Sequence, residues 1–312
     1  MGTPATGGQF SVDIEAMNRA QTALNGMAMD SRNLGAGPDG STNAAAGAHS
    51  GWETAGALRD ALAEWDRQAG DSINAPLRQP LAKALADYVG DTHEVLGGGS
   101  ETYSGHQVYG PVWKDGDTVR MAVGEDNLVR FMRGLSEDPA AYGALHRAAT
   151  GRIDQDFAGM GADAAPEERK DLMGRGGAVL GVFDAIRADV EMDHRDDANA
   201  QADWKAKALY HIVGAPITAV PLVGDGAQRL LDTWTYEVSL GEKDRNNSAA
   251  IAAIADNRLA ASEQMSNMIG IWARERGIGA DTHAINALQR DAQSDLNTNR
   301  TKADTYLGRG NA

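Results

Sequence analysis

The feature that most constrains the fold is an apolar segment of sixteen residues, from Ala208 to Val223. Pro216 and Pro221 interrupt it, and Gly224-Asp225-Gly226 follows it. A membrane-spanning helix needs ~20 consecutive apolar residues, and proline breaks a helix, so the segment predicts no stable membrane span. Charged residues flank it on both sides. We therefore expect it to form the buried packing centre of a helical protein.

Composition favours many packed helices. Hydrophobic residues make up 42% of the chain, but aromatic residues only 5%, and there are 37 glycines. The apolar content is therefore mostly alanine, leucine, valine and isoleucine. Small side chains let helices approach closely, although each contributes less burial free energy than a large one. We predict a mainly α fold, a multi-helix bundle with one small β-hairpin near residues 107–123.

Charge and cysteine content limit the classes of partner and chemistry. The chain carries 29 Lys and Arg against 44 Asp and Glu, a formal net charge of −15, and has no cysteine. Such a surface repels nucleic-acid phosphates and anionic lipids, so no nucleic-acid partner is expected. The lack of cysteine excludes thiol nucleophiles, thiolate metal ligands and disulfides. Residues 1–8 show no Sec-type signal, which favours a cytoplasmic protein or one secreted without a Sec signal.

Two regions are predicted along the chain. Residues 1–50 read as an N-terminal helix, 10–29, followed by a flexible linker rich in glycine, alanine and serine. Residues 51–312 read as a helical domain with the hairpin inserted at 107–123. Its two strands, 107–113 and 118–123, flank Lys114-Asp115-Gly116-Asp117, and an Asp-Gly pair between short apolar runs is a strong hairpin signal. Pro111 marks its strand as an edge strand.

Apolar spacing predicts the other helices. One starts at Leu77 with Pro80 in its first turn, and another follows Ser136 as the N-cap residue. Gly277 is expected to end a helix. Gly174-Arg175-Gly176-Gly177 lacks the order of a phosphate-binding loop, so we interpret these glycines as sites of close helix packing. The predicted helices are 51–65, 77–89, 127–135, one from Ser136 to Phe157, one long or two between 167 and 208, 228–238, 249–276 and 282–306.

The densest candidate for chemistry is an acidic cluster around His194. If Asp193 and Asp197 lie on one helix they share a face, and His194 can meet Asp197 or Glu191. His194, Asp193 and Asp197 are then the candidate catalytic residues, because a carboxylate–imidazole pair can act as a general base. Glu191, His194 and Asp197 are the candidate metal ligands. A solvated helix face is the favoured alternative, so the sequence predicts no catalytic residue, no metal and no cofactor.

Two aromatic features also bear on function. Trp113, beside the hairpin turn, is the tryptophan that we single out as a candidate contact for a protein partner, with burial in the core as the alternative. His211 lies inside the apolar segment and is interpreted as a core histidine.

Three stretches resemble a known group of proteins. They are Asn127–Gly134 with Asp138–Tyr142, Gly177–Gly181 with Asp184, and Ala202–Trp204 leading to Ile212–Pro216 and Val220–Asp225. Together they are similar to the C-terminal helical region of large uncharacterised actinobacterial proteins that occur near WXG100 proteins of type VII secretion. The likeness covers residues 51–307. It implies no catalytic residues.

These observations favour a non-enzymatic helical interaction or structural protein. The expected partner is a protein, either a helical one or a second copy of the chain, and the resemblance implies a secretion-linked actinobacterial system. Two alternatives stay open. One is a membrane-acting toxin or effector that uses residues 208–223, and the other is a hydrolase or metal site at residues 191–197.

Overall fold

The structure is a computed structural model that describes residues 56, 58, 73, 75–98, 101–109, 112–116, 118–194, 197–213, 260–278 and 283–309. Within them the fold is mainly α with a two-stranded antiparallel hairpin, which confirms the predicted fold class. The elements in chain order are α1 (Ala75–Asp87), α2 (Val89–Leu96), α3 (Glu101–Tyr109), β1 (Val112–Asp115), β2 (Thr118–Met121), α4 (Glu125–Leu135), α5 (Pro139–Gly159), α6 (Pro166–Asp193), α7 (Ala198–Val213), α8 (Ala261–Glu275) and α9 (His283–Tyr306).

Helix α6 is the central element of the described structure. It packs most extensively against α9, and it also contacts α8, α5, α4 and α2. Consecutive positions of its second half are buried, so side chains on every side of the helix are covered, as in a helix surrounded by others. These buried apolar residues are Val179, Leu180, Val182, Phe183, Ala185, Ile186 and Val190.

The apolar segment at 208–223 is described only in its first part. Residues 208–213 form the end of α7, which packs on α5. Ala208, Leu209 and Ile212 are buried, whereas the side chain of Tyr210 is 57% exposed. Residues 214–223 lie outside the described residues. We expected this segment to be the buried centre of the protein. Among the described residues, the helix that other helices surround is α6.

The glycines of α6 lie at close helix contacts, as predicted. A Cβ on Gly177 would overlap the carbonyl oxygen of Ala292 in α9 and lie 3.1 Å from its carbonyl carbon. A Cβ on Gly176 would lie 3.0 Å from Cγ2 of Ile153 in α5. These two neighbouring residues therefore allow α6 to approach two different helices at short range.

The prediction that Ser136 caps helix α5 is wrong. Ser136 ends α4, where its hydroxyl donates to the carbonyl oxygen of Met132 at 2.7 Å. Asp138 is the N-cap of α5, and its carboxylate accepts from the amides of Ala140 at 2.8 Å and Ala141 at 3.2 Å. The reason is Pro139, because proline restricts the preceding residue to the extended conformation that an N-cap adopts.

The expected position of Pro80 is also wrong. Helix α1 begins at Ala75 and not at Leu77, so Pro80 lies beyond its first turn. Pro76 explains the earlier start, because proline near the first position of a helix has the backbone angle that the helix needs.

The hairpin is present, but it is shorter than predicted. Its register pairs Val112 with Met121 and Asp115 with Thr118, and Gly116 in the turn has a φ of +61° that favours glycine. Residues 107–109 belong to α3 rather than to the first strand, and the second strand ends at residue 121. Helix α3 continues to Tyr109 because the residues that disfavour a helix, Gly110 and Pro111, come only after it in the sequence.

The predicted helix end at Gly277 is confirmed. Gly277 has a φ of +68°, and its amide donates to the carbonyl of Arg274 at 3.1 Å. The amide of Ile278 donates to the carbonyl of Ala273 at 2.8 Å, which completes a Schellman motif. Helix α8 begins at Ala261, and the earlier part of the predicted helix, residues 249–259, lies outside the described residues. Residues 1–50 and the predicted helix 228–238 also lie outside them, as does the predicted helix 51–65 except for residues 56 and 58.

Candidate functional site

The acidic cluster at residues 191–197 spans a break between two helices. Helix α6 ends at Asp193 and α7 begins at Ala198, so Asp193 and Asp197 do not share one helical face. The carboxylate of Asp197 accepts from the amide of Ala200 at 3.0 Å, in the manner of an N-cap residue of α7. The expectation that one helix carries both carboxylates is therefore wrong, and Asp197 stabilises a helix start.

Glu191 and His194 face different partners. The carboxylate of Glu191 lies 2.9 Å from Nη1 of Arg187 and 3.2 Å from Nζ of Lys205 in α7. The Nε2 atom of His194 lies 3.9 Å from a carboxylate oxygen of Glu137, in the link between α4 and α5. Each side chain thus contacts its own neighbours. In the described part of the chain, no group of three His, Asp or Glu side chains is placed to hold a metal ion.

Asp193 belongs to an ion-pair network with Asp189. Both carboxylates contact the guanidinium group of Arg133 in α4, and both contact Arg309, which follows α9. Arg133 is buried, and its third partner is Glu137. A buried arginine needs such partners, because an unpaired charge away from water costs several kcal/mol. The network therefore joins α4, α6 and the end of α9.

A second buried carboxylate of α6 is also paired with arginine. Asp184 of α6 is buried and accepts from Arg187 at 2.7 Å and from Arg300 of α9 at 2.6 Å. Burial opposes ionisation of Arg187, but Tyr142, Asp184 and Glu191 together raise its pKa. The carboxylate of Asp184 is thus paired with one arginine of its own helix and one of α9.

Sequence reasoning missed this network, although part of its signal was visible. Arg133 and Glu137, and likewise Arg187 and Glu191, are spaced four residues apart, as helical ion pairs are. The contact between Arg133 and Asp189 joins residues 56 positions apart. No local pattern encodes that contact.

His93 is the most unusual titratable side chain near a cavity. It is buried in α2, and burial lowers its pKa to about 4, although Asp156 acts in the opposite direction. Its Nδ1 lies 3.9 Å from Asp156, and its Nε2 has no hydrogen-bond partner among the described residues. The adjoining cavity is lined mainly by apolar side chains, including Leu85 and Phe183, and has room for about one water molecule.

Asp91 fixes the hairpin to the helices. Its buried carboxylate accepts from the hydroxyl of Tyr103 at 2.6 Å and from the amide of Met121 in β2 at 3.0 Å. Arg120 also contacts it, at 3.4 Å. Burial raises the pKa of Asp91, whereas these hydrogen bonds act to lower it. The hairpin is therefore held in a defined position against α2 and α3.

An aromatic cluster lies on this hairpin. The ring of Trp113 in β1 stacks face to face on His106 of α3, with centroids 3.9 Å apart and an interplanar angle of 2°. Tyr103 meets the same indole edge-on at 5.0 Å. Trp113 and His106 are half-buried, so part of the stack reaches the surface. We refer to Tyr103, His106 and Trp113 as the hairpin aromatic cluster.

Two further observations bear on the remaining candidates. His211 in α7 is half-buried, and burial lowers its pKa. Within the described ranges, no helix combines the length and the apolar character needed to cross a membrane.

Comparisons of the chain with known protein families, with curated proteins and with solved structures find no match.

Proposed function

We propose that the chain is a non-enzymatic helical interaction protein that binds a protein partner through the hairpin aromatic cluster. The observation that carries this proposal is the stack of Trp113 on His106, a large aromatic surface that the fold leaves partly accessible. Tryptophan and tyrosine are enriched among the residues that dominate binding energy at protein interfaces. Their amphipathic rings bury much apolar area for a small loss of conformational freedom.

The rigidity of the hairpin supports the same proposal. A two-stranded hairpin is marginally stable alone, but this one is anchored through Asp91 to Tyr103 and Met121. A surface that is ordered before binding loses less conformational entropy when a partner arrives. The anchor therefore favours recognition by a preformed surface.

The partners of the acidic cluster also favour a structural role. Asp193 contacts two arginines, and Asp197 caps α7. Side chains that a hydrolase would need are thus engaged in joining helices. Among the described residues, no helix is long and apolar enough to support the membrane-acting alternative. Taken with the resemblance to helical actinobacterial proteins, the proposed partner is a helical protein of a type VII secretion-linked system or a second copy of this chain.

The test compares Trp113→Ala with Tyr210→Ala. Both changes remove a large aromatic side chain that is at least partly exposed, but Tyr210 lies on α7. Chemical cross-linking and mass spectrometry of the chain expressed in its native cells identify a bound protein, and light scattering detects self-association. The complex should be lost with Trp113→Ala and retained with Tyr210→Ala. A complex that survives Trp113→Ala in a chain with unchanged circular dichroism contradicts the proposal.

A further inference from the structure

Met192 differs from the other methionines that the structure describes. It lies in the last turn of α6, and 47% of its side chain is exposed. The six other described methionines are at most 5% exposed: Met121, Met132, Met160, Met173, Met265 and Met268. An oxidant dissolved in water has to reach the sulfur atom before it can convert a methionine to the sulfoxide. Among the described residues, Met192 is therefore the methionine that such an oxidant reaches.

The sulfur atom of Met192 contacts the guanidinium group of Arg309. Nη1 of Arg309 donates to this sulfur, while Nε pairs with the carboxylate of Asp189 and Nη2 donates to the carbonyl oxygen of Asp189 at 3.1 Å. The carboxylate of Asp193 lies 3.6 Å from Nη2. Among the described contacts, the thioether sulfur is thus the acceptor for Nη1, and such a sulfur accepts hydrogen bonds only weakly.

We infer that Met192 is a site of oxidation by peroxides and that Arg309 binds the sulfoxide formed there. A lone pair of the sulfur attacks one oxygen of the peroxide, an S–O bond forms and the O–O bond breaks. With hydrogen peroxide, the departing hydroxide takes up the proton of the transferred oxygen and leaves as water. The sulfur loses two electrons and the peroxide gains them. This inference stands apart from the proposed protein partner, which uses the hairpin aromatic cluster.

The sulfoxide strengthens a contact between the ends of two helices. Its oxygen is a polar acceptor, and hydrogen bonds from a charged guanidinium group are roughly twice as strong as those between neutral groups. Arg309 is fixed to the end of α9, because its amide donates to the carbonyl oxygen of Asp304 at 2.8 Å. The oxidised protein therefore holds the end of α9 more firmly against the end of α6. Sulfoxide reductases make this change reversible.

The first part of the test measures where the chain is oxidised. The full chain is treated with hydrogen peroxide, and peptide mass spectrometry follows the oxidation of each methionine with time. Met192 should be oxidised about tenfold faster, or more, than the six buried methionines. The methionines of residues 1–50 lie outside the described residues, and their peptides are quantified separately. Oxidation of Met192 no faster than that of the six buried methionines overturns the inference.

The second part measures hydrogen exchange of the amides of residues 307–309. Oxidation should slow this exchange about threefold or more, and a methionine sulfoxide reductase should restore the initial rate. Met192→Leu should abolish the response, whereas Met173→Leu, at a buried position of the same helix, should keep it. Arg309→Leu should still be oxidised at Met192 but show no slowing. Exchange that is unchanged or faster in the oxidised chain, or that slows equally in Met192→Leu, overturns binding of the sulfoxide by Arg309.

Discussion

Gly181 of α6 lies directly against the backbone of Leu296 in α9. A Cβ on Gly181 would overlap the carbonyl oxygen of Leu296 and come within 3.0 Å of its carbonyl carbon. Gly177 meets Ala292 in the same way one turn earlier. The two helices therefore touch backbone to backbone along one stripe, which a larger residue on α6 would push apart.

Gly181→Ala should destabilise the protein by about 3 kcal/mol. The added methyl meets a backbone rather than a flexible side chain, so relief requires a shift of a whole helix. Denaturant unfolding followed by circular dichroism measures the change. Gly270→Ala is the control and should stabilise the protein by up to about 1 kcal/mol, because its helical position is open. Equal effects of the two substitutions would contradict this contact.

Arg133→Met should cost about 3 kcal/mol of unfolding free energy. The substitution leaves Asp189 buried with one arginine partner fewer, and removing one member of a buried ion pair leaves an uncompensated charge. Arg130→Met, three positions earlier, removes a 45% exposed side chain paired with Asp126 and should cost less than about 1 kcal/mol. The same denaturant measurement compares them, and similar losses would refute a special role for the network.

The free energy of unfolding should fall as the pH is lowered from 6.5 to about 4. Burial lowers the pKa of His146 from 6.5 to about 4, so in this range the unfolded chain binds a proton that the folded protein does not. The His146 shift contributes about 3 kcal/mol to the free energy of unfolding above pH 6.5, and this contribution is lost as the pH falls to about 4. His93 acts in the same direction, because burial also lowers its pKa to about 4. Burial raises the pKa of Asp91, so the folded protein protonates this carboxylate at a higher pH than the unfolded chain does. This difference opposes the loss of stability near pH 4.

The variant His146→Phe separates this effect from general acid destabilisation. It removes the titrating group from a site where His146 packs edge-on against Phe183 at 5.3 Å. Unfolding free energies measured at several pH values should then depend less steeply on pH between 6.5 and 4. His283→Phe, at an exposed position of α9, should keep the original slope. An unaltered slope in His146→Phe would rule out this histidine as the source.

Arg276→Met should destabilise the end of α5 by about 2 kcal/mol. The guanidinium group donates to the carbonyl oxygens of Met160 at 2.8 Å, Ala158 at 2.9 Å and Phe157 at 3.0 Å. These carbonyls lie at or just after the last turn of the helix, where the regular intrahelical donors end. The carbonyl of Phe157 also accepts from the amide of Met160 at 3.2 Å, and that of Met160 from the indole of Trp272 at 3.3 Å, so the loss is partial. Hydrogen exchange of amides in residues 153–160 should accelerate. Arg274→Met, an exposed neighbour, should leave their exchange unchanged.

Local signals identified most of the helices that the structure describes. Apolar spacing predicted a helix at 127–135, and α4 spans Glu125–Leu135. The Asp-Gly pair located the turn of the hairpin, but apolar residues before it were assigned to a strand although helix α3 continues to Tyr109. Short apolar runs of this kind fit both the period of a helix and the period of a strand, so only the surrounding fold decides between helix and strand.

The candidate site depended on contacts that local reasoning cannot reach. Asp193 and Asp197 looked like neighbours on one helix, but the chain breaks between them. No sequence pattern singled out Asp189 or Arg133, and their pairing exists only because α4 packs against α6.

The contact between α6 and α9 also determines when the described helices can finish packing during synthesis. Helix α6 ends at Asp193, whereas its glycine stripe is covered by a helix that begins only at His283. The ribosome must therefore translate the whole intervening chain before α9 can cover the glycines of α6. Until then the backbone at these glycines is exposed to water and to other nascent chains. Closure of such distant pairs is slow compared with local helix formation. Helix α9 is the last of the described helices to be synthesised, so chaperones that shield exposed apolar surface can act on α6 before α9 covers it.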